Sequence, residues 1–270
     1  MPARYGGRIS SVLDISLREG NRRETKVNGG IGLISARLTA EGPIVKDKSS
    51  FIISGRRTYI DVLTRPFVNN TSAAGSGYYF YDLNAKINHR FSEKDEIFLS
   101  GYFGRDVFSF SSADAGFSTS IPWGNATASL RWNHLFNDKL FLNMSATYSD
   151  YDFSFEGRQE EFSFGFNSGI EDWSYKTSLS YYPSPRHKVI TGVDYVFHEF
   201  MPTDYFAENG DTPIDIGISG VTFSHETALY IEDKFDLNEN IRISAGLRYS
   251  DFRHVGPFTR YGQDYTEPDS

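Results

Sequence analysis

The sequence predicts an all-β chain, an antiparallel transmembrane β-barrel of about ten strands. Three observations carry that expectation. Side chains alternate apolar and polar with a period of two, short turns alternate with longer connections, and aromatics gather where strands meet the short turns.

The alternation is plainest at 79–91. Tyr79, Tyr81, Leu83, Ala85, Ile87, His89 and Phe91 share one side; Phe80, Asp82, Asn84, Lys86, Asn88 and Arg90 share the other. The same rhythm runs through WGNATASLRWNHLF (123–136), KLFLNMSATY (139–148) and IRISAGLRYS (241–250). It is less clean in SFIISGRRTYIDVL (50–63), and the segment 162–182 is expected to switch phase near Gly169, as a bulge would make it do. Short turns rich in charge, Pro or Asn fall at 42–49, 92–95, 137–139, 183–188 and 236–240. Longer Gly/Ser/Asp-rich connections are expected near 64–77, 111–122, 155–161 and 202–221.

Several strands run roughly 12 to 15 residues, above the usual 5 or so and longer than the roughly 9 to 11 that a tilted membrane strand needs. Phe91, Phe98, Phe136, Phe141, Tyr181, Tyr182 and Phe235 cluster at the short turns, as an interfacial girdle would. The odd face of 79–91 is therefore expected to meet lipid, and the even face to line an aqueous or plugged lumen. A large soluble sandwich matches the alternation but not the strand length, the turn asymmetry and the aromatic ends together.

Composition narrows the function. The 270 residues are 39% hydrophobic and 16% aromatic, too rich for disorder. A net charge of −8 argues against nucleic acid as a partner. With no cysteine there is no disulfide scaffold, thiol nucleophile or cysteine-ligated metal. Mean hydropathy is −0.43 and no run reaches the length of a membrane helix. A barrel escapes that test because alternation dilutes its hydropathy. The start, MPARYGGRIS, has no apolar core and does not read as a signal peptide.

Two stretches go beyond periodicity. PARYGGRISSVLDISLREGN (2–21) resembles the C-terminal end of the plug domain in TonB-dependent outer-membrane receptors. There a small residue, an aromatic and paired glycines precede a short strand; here these are Ala3, Tyr5, Gly6, Gly7, Val12, Leu13 and Ile15. Leu13, Ile15 and Leu17 alternating with Asp14, Ser16 and Arg18 predict that strand. ALYIEDKFDLNENIRISAGLRYS (228–250) is similar to the mid-barrel hairpin of the same family, and 50–63 resembles the second barrel strand of its Bacteroidota members. The resemblance implies a fragment: the end of the plug over 1–22, then roughly ten of about 22 barrel strands over 23–270. It implies a bacterial outer-membrane location, lipid and the TonB complex as partners, the latter through a plug not present here, and an unknown imported ligand. A small passive porin-like or adhesion barrel without TonB coupling is the alternative.

No enzymatic motif and no cofactor are expected. Six histidines (His89, His134, His187, His198, His225, His254) lack metal-ligand spacing, and His89 and His134 read as interfacial side chains. GGIGLISA (29–36) reads as small residues in the first barrel strand rather than a dinucleotide loop. Acidic residues in 202–221 (Asp204, Glu208, Asp211, Asp215) read as a solvated loop before a calcium site. Arg131, Arg242 and Arg248 are expected to face the lumen and pair with acids there, or to meet an anionic ligand. The resemblance makes Arg4, Tyr5, Gly6 and Gly7 the plug–barrel junction. Phe67, Tyr78, Tyr205 and Phe206 are the candidates for ligand contact.

Overall fold

The structure is a computed structural model that describes residues 2–6, 11–12, 15–210, 212–214, 220–256, 260–261 and 268–269. After a 3-10 turn at Ala3–Tyr5 the chain runs β1 (Lys26–Ile31), β2 (Ser35–Val45), β3 (Ser49–Thr58), α1 (Ile60–Val68), β4 (Gly77–Arg90), β5 (Asp95–Ser112), β6 (Phe117–Asn137), β7 (Leu140–Gln159), β8 (Phe162–Ser184) and β9 (His187–Asn209). There follow β10 (Thr212–Ile214), β11 (Thr222–Asn238), β12 (Ile241–Val255) and a small separate pair, β13 (Arg260–Tyr261) and β14 (Pro268–Asp269). One antiparallel sheet runs β1 to β9 in chain order, then β11 and β12, with β10 on the side of β9. Among the described residues β1 and β12 end the sheet and do not pair with each other.

The faces sort as the alternation requires, with the polar face inward. On β4, Lys86 and Asn88 are 7% and 1% exposed, while Leu83 and Ile87 are 49% and 44% exposed. The outward side carries Leu99, Phe103, Leu130, Trp132, Trp173, Leu229, Ile231, Ile243 and Leu247, all open. The inward side carries rows of Ser, Thr and Asn; one cross-strand row reads Lys86, Ser100, Ser129, Thr147 and Ser174. This inverts a water-soluble fold and suits a sheet whose outside solvent is hydrocarbon.

Four expectations are corrected. The stretch 111–122 and the stretch 155–161 are not long loops: β5 and β6 meet through residues 113–116, and β7 and β8 through 160–161. Ser/Phe alternation continues to the tips, so the ladders continue too, and Glu160 takes the turn with φ of 53°. GGIGLISA is not one strand but a hairpin, closed by Gly32 N–H donating to Ser35 O at 2.8 Å; small residues permit the tight reversal. Strand 50–63 stops at Thr58, and α1 opens the next connection.

The bulge lies at the expected level but on the other strand. β8 keeps constant register with β7 through Gly169. Against β9 the register slips between Asn167 and Gly169, and the extra residue belongs to β9 around Pro202. Proline has no N–H to offer the ladder, which is where a sheet tolerates an insertion. The slip puts Tyr205 inward and Phe206 outward.

At the short-turn end His89 packs on Phe91, His134 on Phe136 and His187 on Phe235, with ring centres 4.4, 4.5 and 4.4 Å apart. Phe98 and Phe141 fall instead on the inward face, and Phe98 is only 5% exposed. They occupy the other phase of the alternation and are not part of the girdle.

Candidate functional site

The inward face is not bare. The described residues of the N-terminal segment lie on it, those at 2–6 against β11 and β12 and those at 17–22 against β2, β3 and β4. At its start, Arg4 meets Glu232 of β11 by a backbone N–H donating at 3.4 Å and a guanidinium at 3.7 Å. Glu232 is 4% exposed. Arg248 of β12 donates to the carbonyls of Ala3 and Arg4 at 3.3 and 3.4 Å and pairs with Asp194 of β9 at 3.2 Å. Close approach needs small residues: a Cβ on Gly246 would meet that of Ala3 at 2.8 Å, and one on Gly6 would run into the Arg248 side chain.

Further along, Lys86 Nζ donates to Leu17 O at 2.8 Å, and Arg18 pairs with Glu41 at 3.0 Å. The Asn21 N–H also donates to Glu41, at 3.0 Å. Gly20 lies so tightly on the Phe51 carbonyl that any Cβ would collide with backbone. Arg22 then pairs with Glu96, and its carbonyl accepts from Asp47 N–H at 3.0 Å as the chain leaves the interior at the short-turn end. Two buried carboxylates, Glu232 and Glu41, thus hold the two ends of one segment.

The described part of 13–18 makes no strand; its Leu17 carbonyl accepts from Lys86 instead. Leu13 and Asp14 lie outside the described residues. Of the junction candidates, Arg4 and Gly6 sit against β11 and β12, Tyr5 lies under the Arg4 guanidinium at 4.8 Å, and Gly7 lies outside the described residues. Glu41 and Asp194 had no distinguishing sequence signal beyond being acidic on an inward phase, whereas Glu232 belongs to the acidic pair of the 228–250 hairpin.

The ligand-contact candidates are not gathered together. Phe67 is on α1, 81% exposed. Tyr78, at the outer end of β4, donates its hydroxyl to Asp106 at 2.7 Å and stacks on Trp123. That hydrogen bond to a carboxylate, helped by burial, pushes the Tyr78 phenol up to about 12. Tyr205 packs on Phe166 with centres 5.9 Å apart, and Phe206 faces the opposite side. Of the three arginines, Arg248 pairs with Asp194 and Arg242 with Asp236. Among the described residues Arg131 has no acid or carbonyl partner and covers the Phe98 ring, 4.3 Å from its centre. Asp211 and Asp215 lie outside the described residues, and among those described no group of three His, Asp or Glu side chains is placed to hold a metal.

A long antiparallel sheet, apolar outside and polar inside with its own N-terminal segment latched within, has a matching family model. The model described as TonB dependent receptor-like, beta-barrel matches residues 56–269. The chain belongs to this family. The fold of this TonB-dependent receptor barrel segment is shared with the ferric enterobactin receptor PfeA of Pseudomonas aeruginosa, a G324V mutant structure, at 15% identity and TM-score 0.62, over 93% of this chain and 43% of that one. The copper transporter OprC aligns at 16% identity and TM-score 0.62, over 86% and 37%. The ferric preacinetobactin receptor BauA of Acinetobacter baumannii aligns at 9% identity and TM-score 0.59, over 86% and 41%. The chain therefore spans well under half the length of each of these structures. No curated protein sequence matches it.

Proposed function

We propose that the chain is a segment of a TonB-dependent outer-membrane receptor, of the Bacteroidota type that residues 50–63 resemble. In this reading residues 1–22 end the plug and 23–270 form the first part of the barrel. The complete receptor binds a ligand at its outer loops and plug and imports it actively, driven by the TonB complex. The observation that carries the reading is the latched segment: Arg4 on Glu232 and Arg18 on Glu41 hold a non-strand piece of chain inside the sheet. A passive porin-like barrel accounts for the strands and leaves that occupied interior without purpose.

Active import needs a lumen that is shut until force opens it. The latch suits this, because ion pairs and carbonyl contacts yield one at a time under load, whereas an apolar interface of equal area would not. The test is conductance of the complete receptor in a planar bilayer in KCl. The expected result is no steady current from the intact protein and a large current once the plug, through residue 22, is deleted. Uptake in cells is expected to vanish without TonB. Open-channel current from the intact protein would favour the passive barrel.

A further inference from the structure

We infer that α1 is an interfacial anchor, lying on the lipid side of the sheet and sinking its apolar face into the headgroup–acyl boundary of the membrane leaflet at that end. The helix is polar where it meets protein and apolar where it does not. At about 100° per residue, Asp61, Thr64 and Arg65 share one side of α1, and Ile60, Val62, Leu63, Pro66 and Phe67 share the other. Asp61 is 9% exposed against the sheet, whereas Val62, Leu63 and Phe67 are 47%, 45% and 81% exposed. A surface helix of a water-soluble protein is turned the other way round.

Two contacts fix which side of the sheet α1 occupies. Arg57 stands opposite Tyr81 in register, and Gly77 is in phase with Tyr79, so both belong to the outward face. The Arg57 guanidinium lies over the Tyr79 ring, 5.3 Å from its centre, and donates to the Asp61 carboxylate at 3.3 Å. A Cβ on Gly77 would point to that same side and meet the Asp61 Cβ at 3.5 Å. The polar side of α1 is thus seated on the outer surface of β3 and β4, not over the lumen. Next along this surface come Tyr79 and Tyr81, stacked 6.5 Å apart, and Phe103, 6.0 Å from Tyr81. Open Leu83 and Ile87 follow. Aromatics giving way to aliphatics mark the passage from interface to hydrocarbon. The apolar face of α1 therefore continues a surface that meets lipid, and this continuity selects lipid as its occupant. Arg65, exposed on the polar side, suits the level of anionic headgroups.

The lipid side follows from the faces of the sheet; that the leaflet is the outer one rests on the receptor reading. In that reading the plug occupies the opposite face and further strands add at β1 and β12, so neither accounts for an apolar face over β3 and β4. The anchor holds the start of the β3–β4 connection against the membrane and away from the lumen mouth. Phe67, a ligand-contact candidate from sequence, meets lipid instead.

The test is site-directed spin labelling of the complete receptor, otherwise free of cysteine, in vesicles of phosphatidylethanolamine and phosphatidylglycerol. A nitroxide on Phe67→Cys is expected to collide more with oxygen than with a water-soluble nickel chelate, as one on the lipid-facing Leu130→Cys does. Its expected depth is about 5 to 10 Å into the headgroup–acyl boundary. A nitroxide on Arg65→Cys is expected to favour the nickel chelate, as one on the turn variant Glu93→Cys does. Nickel-favoured collisions at Phe67→Cys would put the face in water, and low rates with both reagents would put it under protein. Either result overturns the anchor, as does equal behaviour of Phe67→Cys and Arg65→Cys. Leu63→Cys reports on the same face and decides if Phe67→Cys does not fold. Leu130→Cys and TonB-dependent uptake are read separately, so a failure confined to α1 leaves the receptor reading standing.

Discussion

Glu232 is almost wholly covered, and Arg4 reaches it from the N-terminal segment. Removing that acid leaves a cation facing a polar wall without its partner. Glu232→Gln is expected to weaken the attachment of residues 2–6 by about 1 to 3 kcal/mol; faster amide exchange at Tyr5 and Gly6, with unchanged exchange in β11, would register it. Asp95, at the short-turn end, shows the same chemistry in water. The hydrogen bond with His134, 2.6 Å long, holds the Asp95 carboxyl below its ordinary value of 3.8. A carboxylate with a depressed folded-state value contributes stability that is complete above the unfolded value and is lost as pH falls through the folded one. Wild type is therefore expected to exceed Asp95→Asn in thermal stability near neutrality and to converge with it at pH below 3.8, in a melting series in detergent.

Strands of this sheet are defined by which solvent each face meets. Leu130 is 50% exposed on the outward face of β6, while Ser174 of β8 is in an inward row. Leu130→Arg places a guanidinium in hydrocarbon near mid-strand and is expected to cost about 2 to 4 kcal/mol. Ser174→Arg faces water and polar neighbours and is expected to cost far less. Chemical unfolding from lipid vesicles compares them, and equal costs would mean that the outward face does not meet lipid. The element scale also explains the β9 bulge. Pro202 interrupts the ladder, so the strand resumes in the opposite phase and Tyr205, rather than Phe206, turns inward.

At the scale of the molecule, among the described residues, the sheet has two edges, β1 and β12, that do not meet. Unpaired N–H and C=O groups along such edges are intolerable in hydrocarbon. On the proposed reading, the 270 residues expressed alone are expected not to yield a membrane-inserted, heat-modifiable barrel, whereas the complete receptor is expected to yield one. Gel mobility with and without heating distinguishes them, and a stable inserted barrel from this chain alone would require β1 and β12 to pair.

Period-two alternation by itself determined that the chain is built of long strands and which residues share a face on β4, β6, β7 and β12; the short turns between them pointed to antiparallel order. Each is a local consequence of a backbone that points successive side chains to opposite sides. It also placed the bulge level near Gly169 and put His89 and His134 on the outward face. The alternation did not separate a long loop from a long hairpin, because Ser-rich tips such as 111–122 satisfy both turn chemistry and strand phase. Nor did it show which strand of a pair holds an extra residue, since register is a property of two chains and not one. The contacts that give this protein its character were decided by tertiary structure alone. Arg4 and Glu232 are 228 residues apart in sequence, and Arg18, outside any strand, meets Glu41 on β2. An inward arginine looks the same in sequence whether an acid faces it or not. Curving the sheet around the described part of its N-terminal segment is what brings these charges to their partners.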